Sequence, residues 1–151
     1  MTSPFPPRLK PLWLVFLACM TVSLSAVPVK AQNATVYNPI PLPANNEVSD
    51  TLSEKDIPTG DGGFARDYLI KLNAGDQIAV DLASESFDTI VMLMAKDGTV
   101  VGQNDDGPDG SNNSLLFARI KDSGDYIIRV RAFGETATGA FQLKMTRLKS
   151  L

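Results

Sequence analysis

The densest set of oxygen ligands in the chain is Asn104-Asp105-Asp106-Gly107-Pro108-Asp109-Gly110. Calcium takes roughly six to eight oxygens, and carboxylates, an amide and free backbone carbonyls on one turn can converge on it without regular structure. Asn104, Asp105, Asp106 and Asp109 are therefore the candidate Ca²⁺ ligands. The register is not that of an EF-hand, because counting from Asn104 places Pro108 fifth and counting from Asp105 places Leu116 twelfth. The alternative is a solvated turn in which Asn and Asp bond their own backbone. Crowded carboxylates repel one another unless a cation neutralises them, which is what keeps the metal reading in play.

Other chemistry is scarce. The chain has no His and a single Cys, Cys19, so Ser-His-Asp triads, Cys-His dyads and His-ligated metals are excluded. Asp81 with Glu85, or Asp88 with Asp105, could act as the paired carboxylates of a small hydrolase only across a cleft, and no pattern supplies one. Gly60-Asp61-Gly62-Gly63-Phe64-Ala65 fits a loose dinucleotide fingerprint, but Pro58 precedes it and a strand pattern follows, where that motif needs a strand and then a helix. The sequons at Asn33 and Asn112 are short matches of low information. No enzymatic activity is expected.

The elements that would carry these residues begin with a leader. Arg8 and Lys10 precede an apolar run from Leu12 to Val27, too short for a membrane span of roughly 20 residues, and Val29-Lys30-Ala31 forms a small-residue cleavage site. Residues 1–31 are expected to be a signal peptide cut before Gln32, with lipoprotein processing at Cys19 as the rival. The leader holds three of the 14 basic residues and none of the 17 acidic ones, which leaves eleven against 17 and a mature charge of −6. Nucleic acid and anionic membranes are thereby poor partners, and no later stretch spans a membrane. The mature chain also loses Cys19, so an oxidising periplasmic or extracellular setting is tolerated without disulfides.

Pro39, Pro41 and Pro43 fall in an Asn-rich, glycine-free segment, so residues 32–45 are expected to form an extended tether and residues 46–151 the domain. From there apolar residues recur with period two. Ile78, Val80 and Leu82 alternate with Ala79 and Asp81; Ile128 and Val130 alternate with Arg129 and Arg131; Phe141, Leu143 and Met145 alternate with Gln142 and Lys144. Ile128 should face the core, whereas Arg129, Arg131 and Lys144 should lie on solvated outward faces of the last two strands, as a modest basic strip at most. Residues 89–95 are apolar on both faces, as in a covered central strand. Eight strands are predicted, near 47–53, 64–72, 76–84, 89–95, 99–104, 114–120, 125–132 and 139–147, without a helix of normal length. Short strands at that spacing predict an all-β protein, an antiparallel β-sandwich of about eight strands.

Several segments in order resemble the bacterial pre-peptidase C-terminal domain. These are Tyr68-Leu69-Ile70-Lys71-Leu72-Asn73-Ala74-Gly75-Asp76, Phe87-Asp88-Thr89, Lys96-Asp97-Gly98, Gln103-Asn104-Asp105-Asp106-Gly107 and Ser123-Gly124-Asp125-Tyr126-Ile127-Ile128-Arg129-Val130. The resemblance covers about residues 46–147. It implies a jelly-roll-like sandwich on a secreted protein, non-catalytic, associated with secretion, attachment or calcium. The similar collagen-binding segments of bacterial collagenases bind calcium through linker acids and acids before the Asp-Tyr of an early strand. Asp61 and Asp67 match the second set, while the linker from Gln32 to Asn46 has no Asp or Glu. No protease domain precedes the module in this sequence. The expected function is thus a secreted or periplasmic binding module for a protein or cell-surface ligand, the alternative being an accessory subunit for a separately encoded exported peptidase.

Overall fold

The eight long segments all form strands: most bury one row of side chains and keep the other wet, while residues 89–95 are buried on both faces. The computed structural model describes residues 37–60, 62–108, 110–134 and 137–149; Asp61 and Asp109 of the candidate metal sites, and the whole of the leader, lie outside the described residues. Ten strands follow in order: β1 (Ile40–Pro41), β2 (Glu47–Leu52), β3 (Ile57–Pro58), β4 (Phe64–Leu72), β5 (Gln77–Ala83), β6 (Thr89–Ala95), β7 (Val100–Asn104), β8 (Ser114–Arg119), β9 (Gly124–Ala132) and β10 (Gly139–Leu148). Two of these, β1 and β3, are two-residue additions to the expected set. Among the described residues there is no helix, and so none long and apolar enough to cross a membrane.

One sheet has the order β1-β4-β9-β6-β7, with β3 paired to β4, and the other β2-β10-β5-β8. The long strands pair as β2 with β10, β4 with β9, β5 with β8 and β6 with β7, all antiparallel. Folding a chain back on itself in four such pairs and rolling the result into two sheets gives the jelly roll. Tyr68, Leu72, Val91, Leu93, Ile128 and Val130 from the first sheet meet Leu52, Ile78, Val80, Leu82, Phe141 and Leu143 from the second, and all are buried. Tyr68 and Phe141 contact edge to face across the layers, with ring centroids 6.3 Å apart.

The start of the domain differs from expectation. Residues 37–43 are extended, yet they are docked rather than free: β1 pairs in parallel with β4, the Leu42 amide donates to the Leu69 carbonyl at 2.8 Å, and Leu42 packs against the core. The folded unit therefore reaches back to Tyr37 rather than starting near Asn46. Prolines preset an extended backbone and are tolerated at a sheet edge, which explains why this segment can add a strand there without a periodic apolar pattern.

The antiparallel register places five connections at one end of the sandwich: β2–β3, β3–β4, β5–β6, β7–β8 and β9–β10. Asn104 ends β7 and Asp105 and Asp106 open the β7–β8 connection, so topology brings these three candidate calcium residues to the same end as Glu85, Asp88 and Phe133.

Candidate functional site

The amide of Asn104 is committed to its own loop. Its Nδ2 donates to the carbonyls of Asp106 and Leu115, both at 2.8 Å, and its Oδ1 accepts from the Asp105 amide at 3.1 Å. Asn104 thus closes the 105–113 connection by side-chain to backbone bonds, the behaviour that suits Asn to turns. The carboxylates of Asp105 and Asp106 have no hydrogen bond or ion pair among the described residues. Among the described residues no three His, Cys, Asp or Glu side chains gather as a metal cluster.

Asp67 has a different job. It is 2% exposed and lies on the outward side of β4, directly across from Arg129 on β9. Arg129 donates from Nε and Nη2 to the two carboxylate oxygens at 2.7 Å each, and the Tyr37 hydroxyl donates to Oδ2. With a two-pronged guanidinium and a phenol on it, the carboxylate has its charge neutralised and three of its roughly four acceptor sites filled, which makes it a poor ligand for a cation. Its hydrogen bond to Asp67 holds the Arg129 guanidinium above its ordinary range, against the opposing effect of burial. Burial, then the bond to Asp67, pushes the Tyr37 phenol up to about 12.

Arg129 therefore does not sit on a freely solvated face. The idea of a basic strip also fails by topology, because β9 and β10 belong to different sheets. Lys144 on β10 instead bonds Glu47 at 2.9 Å, with Asp81 across the neighbouring strand pair, a ladder of alternating charge on the second sheet. Sequence periodicity assigned Arg129 its outward direction but not its cover. The signal was Ile127, an apolar residue on the same outward row, which is only 5% exposed.

A second ionic cluster lies at the edge between the layers. Arg66 contacts Asp50 and, at 2.8 Å, Asp56, while the Tyr68 hydroxyl donates to Asp50 at 2.9 Å. Burial opposes the charge on Arg66, and the bonds with Asp56 and Asp50 more than offset it, so the guanidinium is held above its usual range. Burial and the Asp50 bond raise the Tyr68 phenol. Burial alone would raise Asp50, but bonds from the Thr51 amide, Arg66 and Tyr68 bring its carboxyl below the ordinary value. This cluster fastens β2 to β4, and its Asp50 also borders a groove on the second sheet.

That groove, of about 690 Å³, runs over β2, β10 and the end of β5. Ser49, Thr51, Ala140, Gln142 and Ala83 form its floor, with Ser84, Glu85, Ser86 and Asn113 along one side. The side is rigidly built. Ser84 Oγ donates to the Ala140 carbonyl at 2.7 Å and accepts the amides of Ser86 at 3.0 Å and Phe87 at 3.3 Å, while the Ser84 amide donates to Asn113 Oδ1 at 3.1 Å. Gly139 passes so close that a Cβ there would lie 2.3 Å from the Ser86 Cβ, and its φ of +147° also favours glycine. Nothing in the sequence singled out these small polar residues. Only pairing β2 and β5 on either side of β10 makes them neighbours.

Residues 65–132 match the family model for the bacterial pre-peptidase C-terminal domain. That stretch, strands β4 to β9, is similar to this family. The fold is shared with the pre-peptidase C-terminal domain of a Bacillus anthracis collagenase, at 16% identity over 72% of this chain and 93% of that one, TM-score 0.52. It is also shared with PliG of Aeromonas hydrophila, a periplasmic inhibitor of g-type lysozyme, at 14% identity over 74% and 96%, TM-score 0.54. No curated protein matches the sequence. The matched stretch runs from β4 through β9. It holds the Asp67–Arg129 pair and the Asn104 loop, whereas β2 and β10 of the groove floor fall outside it.

Proposed function

We propose that the chain is an exported, non-enzymatic binding module that attaches to a protein partner in the periplasm or outside the cell. The observation that carries this reading is how the converging ionisable groups are spent. Asp67, Arg129 and Tyr37, and likewise Arg66, Asp50, Asp56 and Tyr68, saturate one another and hold strands together. Free polar groups lie instead along an open groove and on loops at one end, where a rigid scaffold presents them for recognition. The likeness to PliG, a protein that acts as an inhibitor of another protein, supports a protein rather than a small molecule as partner. The leader at residues 1–31 and the cysteine-free mature sequence support export.

Calcium enters the proposal as a stabiliser of the β7–β8 connection. Asp105 and Asp106, with Asp109, are the carboxylates a cation would neutralise, and Asn104 holds the turn that presents them. The binding reading is tested with the chain from Gln32 onward, immobilised and challenged with the exported fraction of its source. One protein retained saturably, with no turnover on peptide and glycoside panels, is expected. Turnover that a single side-chain replacement abolishes, or retention of nothing, overturns it.

A further inference from the structure

We infer that the groove over β2, β10 and β5 receives an extended, lysine- or arginine-bearing segment of the partner protein. The inference rests on the binding reading above and adds the place and the chemistry.

The lining selects the ligand class by elimination. It contains no Lys, Arg or His, so an anionic group would find no counter-charge there. Its one aromatic residue, Phe141, is 3% exposed and turned into the core, so a sugar ring has no face to stack on. What the groove offers is hydroxyls and amides on Ser49, Thr51, Ser86, Asn113 and Gln142, together with Glu85, an exposed carboxylate without hydrogen bond or ion pair among the described residues. The Asp50 carboxylate in the lining is already taken by Arg66, Tyr68 and the Thr51 amide. Hydroxyls and amides suit a peptide backbone, and the unpaired carboxylate suits a cation.

The surroundings agree in sign. The connections at this end carry Glu54, Glu85, Asp88, Asp105 and Asp106 without an ion pair among the described residues, with Lys55 as the one base in the described parts of those connections. At the opposite end, acids and bases are mixed and partly paired, as in Lys96 with Asp125 and Arg147 with Asp76. A field of one sign around a groove steers a complementary partner toward it. Phe133, 58% exposed, stands at the same end with its amide bonded to the Asp88 carbonyl, and gives an apolar anchor beside the charged rim. Because Ser84, Asn113 and Gly139 fix the side wall in advance, little ordering is needed when a segment enters.

The test uses the chain from Gln32 onward, isotopically labelled, and three short blocked peptides identical except for lysine, glutamine or glutamate at alternate positions. The lysine peptide should shift the amide signals of residues 84–86, 113 and 140–142 saturably, the glutamine peptide less and the glutamate peptide not at all. Gln142 is exposed on β10 in the groove floor, so both charged replacements there are compatible with the strand. Gln142→Glu should tighten lysine-peptide binding by about fivefold, and Gln142→Arg should loosen it by at least as much. Equal shifts from all three peptides, shifts outside the groove, or a chitin oligosaccharide that shifts these amides when the lysine peptide does not, each overturns the inference. Retention of the native partner unchanged by Gln142→Arg overturns the groove while the binding reading stands. Retention of nothing by the parent overturns the binding reading itself.

Discussion

Replacing Arg129 by Gln should cost the domain about 3 kcal/mol, although Arg129 occupies an outward position on a strand. The reason is the residue left behind. The Asp67 side chain is 1% exposed, and both of its oxygens are filled by Arg129 at 2.7 Å with the Tyr37 hydroxyl beside them. Removing one member of a buried pair strands the other charge and typically costs about 3–5 kcal/mol. The Arg129 side chain is 27% exposed, so water can reach part of the vacated space, and the lower end of that range applies. For a domain of this length that means a melting temperature lower by roughly 10–15 °C. A replacement on a solvated sheet face would stay within about 0.5 kcal/mol. Urea titrations followed by far-ultraviolet circular dichroism give the value, and the double variant Asp67→Asn with Arg129→Gln isolates the cause. Without a buried charge the double variant should be more stable than Arg129→Gln alone. If Arg129→Gln stays within about 0.5 kcal/mol of the parent, or the double variant is the worse of the two, the pair is not what holds β4 to β9.

Four further outcomes follow from the same geometry. The Tyr37 and Tyr68 phenols are raised in the folded state above their ordinary value of 10.0, so the native protein binds more protons than the unfolded chain in that range. Stability should be intact below about pH 10 and fall as pH rises toward about 12, and Tyr37→Phe should weaken that fall; a flat profile through this window counts against both hydrogen bonds. Gly139→Ala should lower stability by about 1–3 kcal/mol and displace the 84–86 turn, seen as a lower melt and shifted amide signals, and a melt within about 2 °C of the parent contradicts the close approach. Calcium at saturating excess should raise the melt by several degrees in the parent and not in Asp105→Asn with Asp106→Asn. Asn104→Ala should cost about 1–2 kcal/mol with or without calcium, because the loop loses its closing bonds to the Asp106 and Leu115 carbonyls. No calcium shift in the parent leaves the segment a turn alone.

The sandwich was legible because its information is local. Alternation at Ile78, Val80 and Leu82 or at Phe141, Leu143 and Met145 is a property of a few consecutive residues, and a strand buried on one face needs nothing else. The Asp67–Arg129 pair was not legible in that way, since its members lie 62 residues apart and meet only through the β4–β9 register. Periodicity says that Arg129 points away from the core between the sheets, but it cannot say that Asp67 stands opposite. Docking of residues 37–43 was hidden for another reason. Three prolines remove the donors and the alternation by which a strand is recognised, while Tyr37 and Leu42 still find partners on β4. The groove is assembled from β2, β5 and β10, distant in sequence and small in side chain, so composition alone could only name the acidic loop beside it.

A domain that holds a protein, as proposed, and does not turn over a substrate forms a stable complex with its partner. Size-exclusion chromatography with light scattering, on the chain from Gln32 onward mixed with the protein it retains from the exported fraction, tests that most directly. A discrete complex of fixed stoichiometry, which persists on dilution and leaves both chains covalently intact, is the predicted result. A partner that emerges cleaved or chemically altered, or two components that elute separately at every concentration, would contradict it.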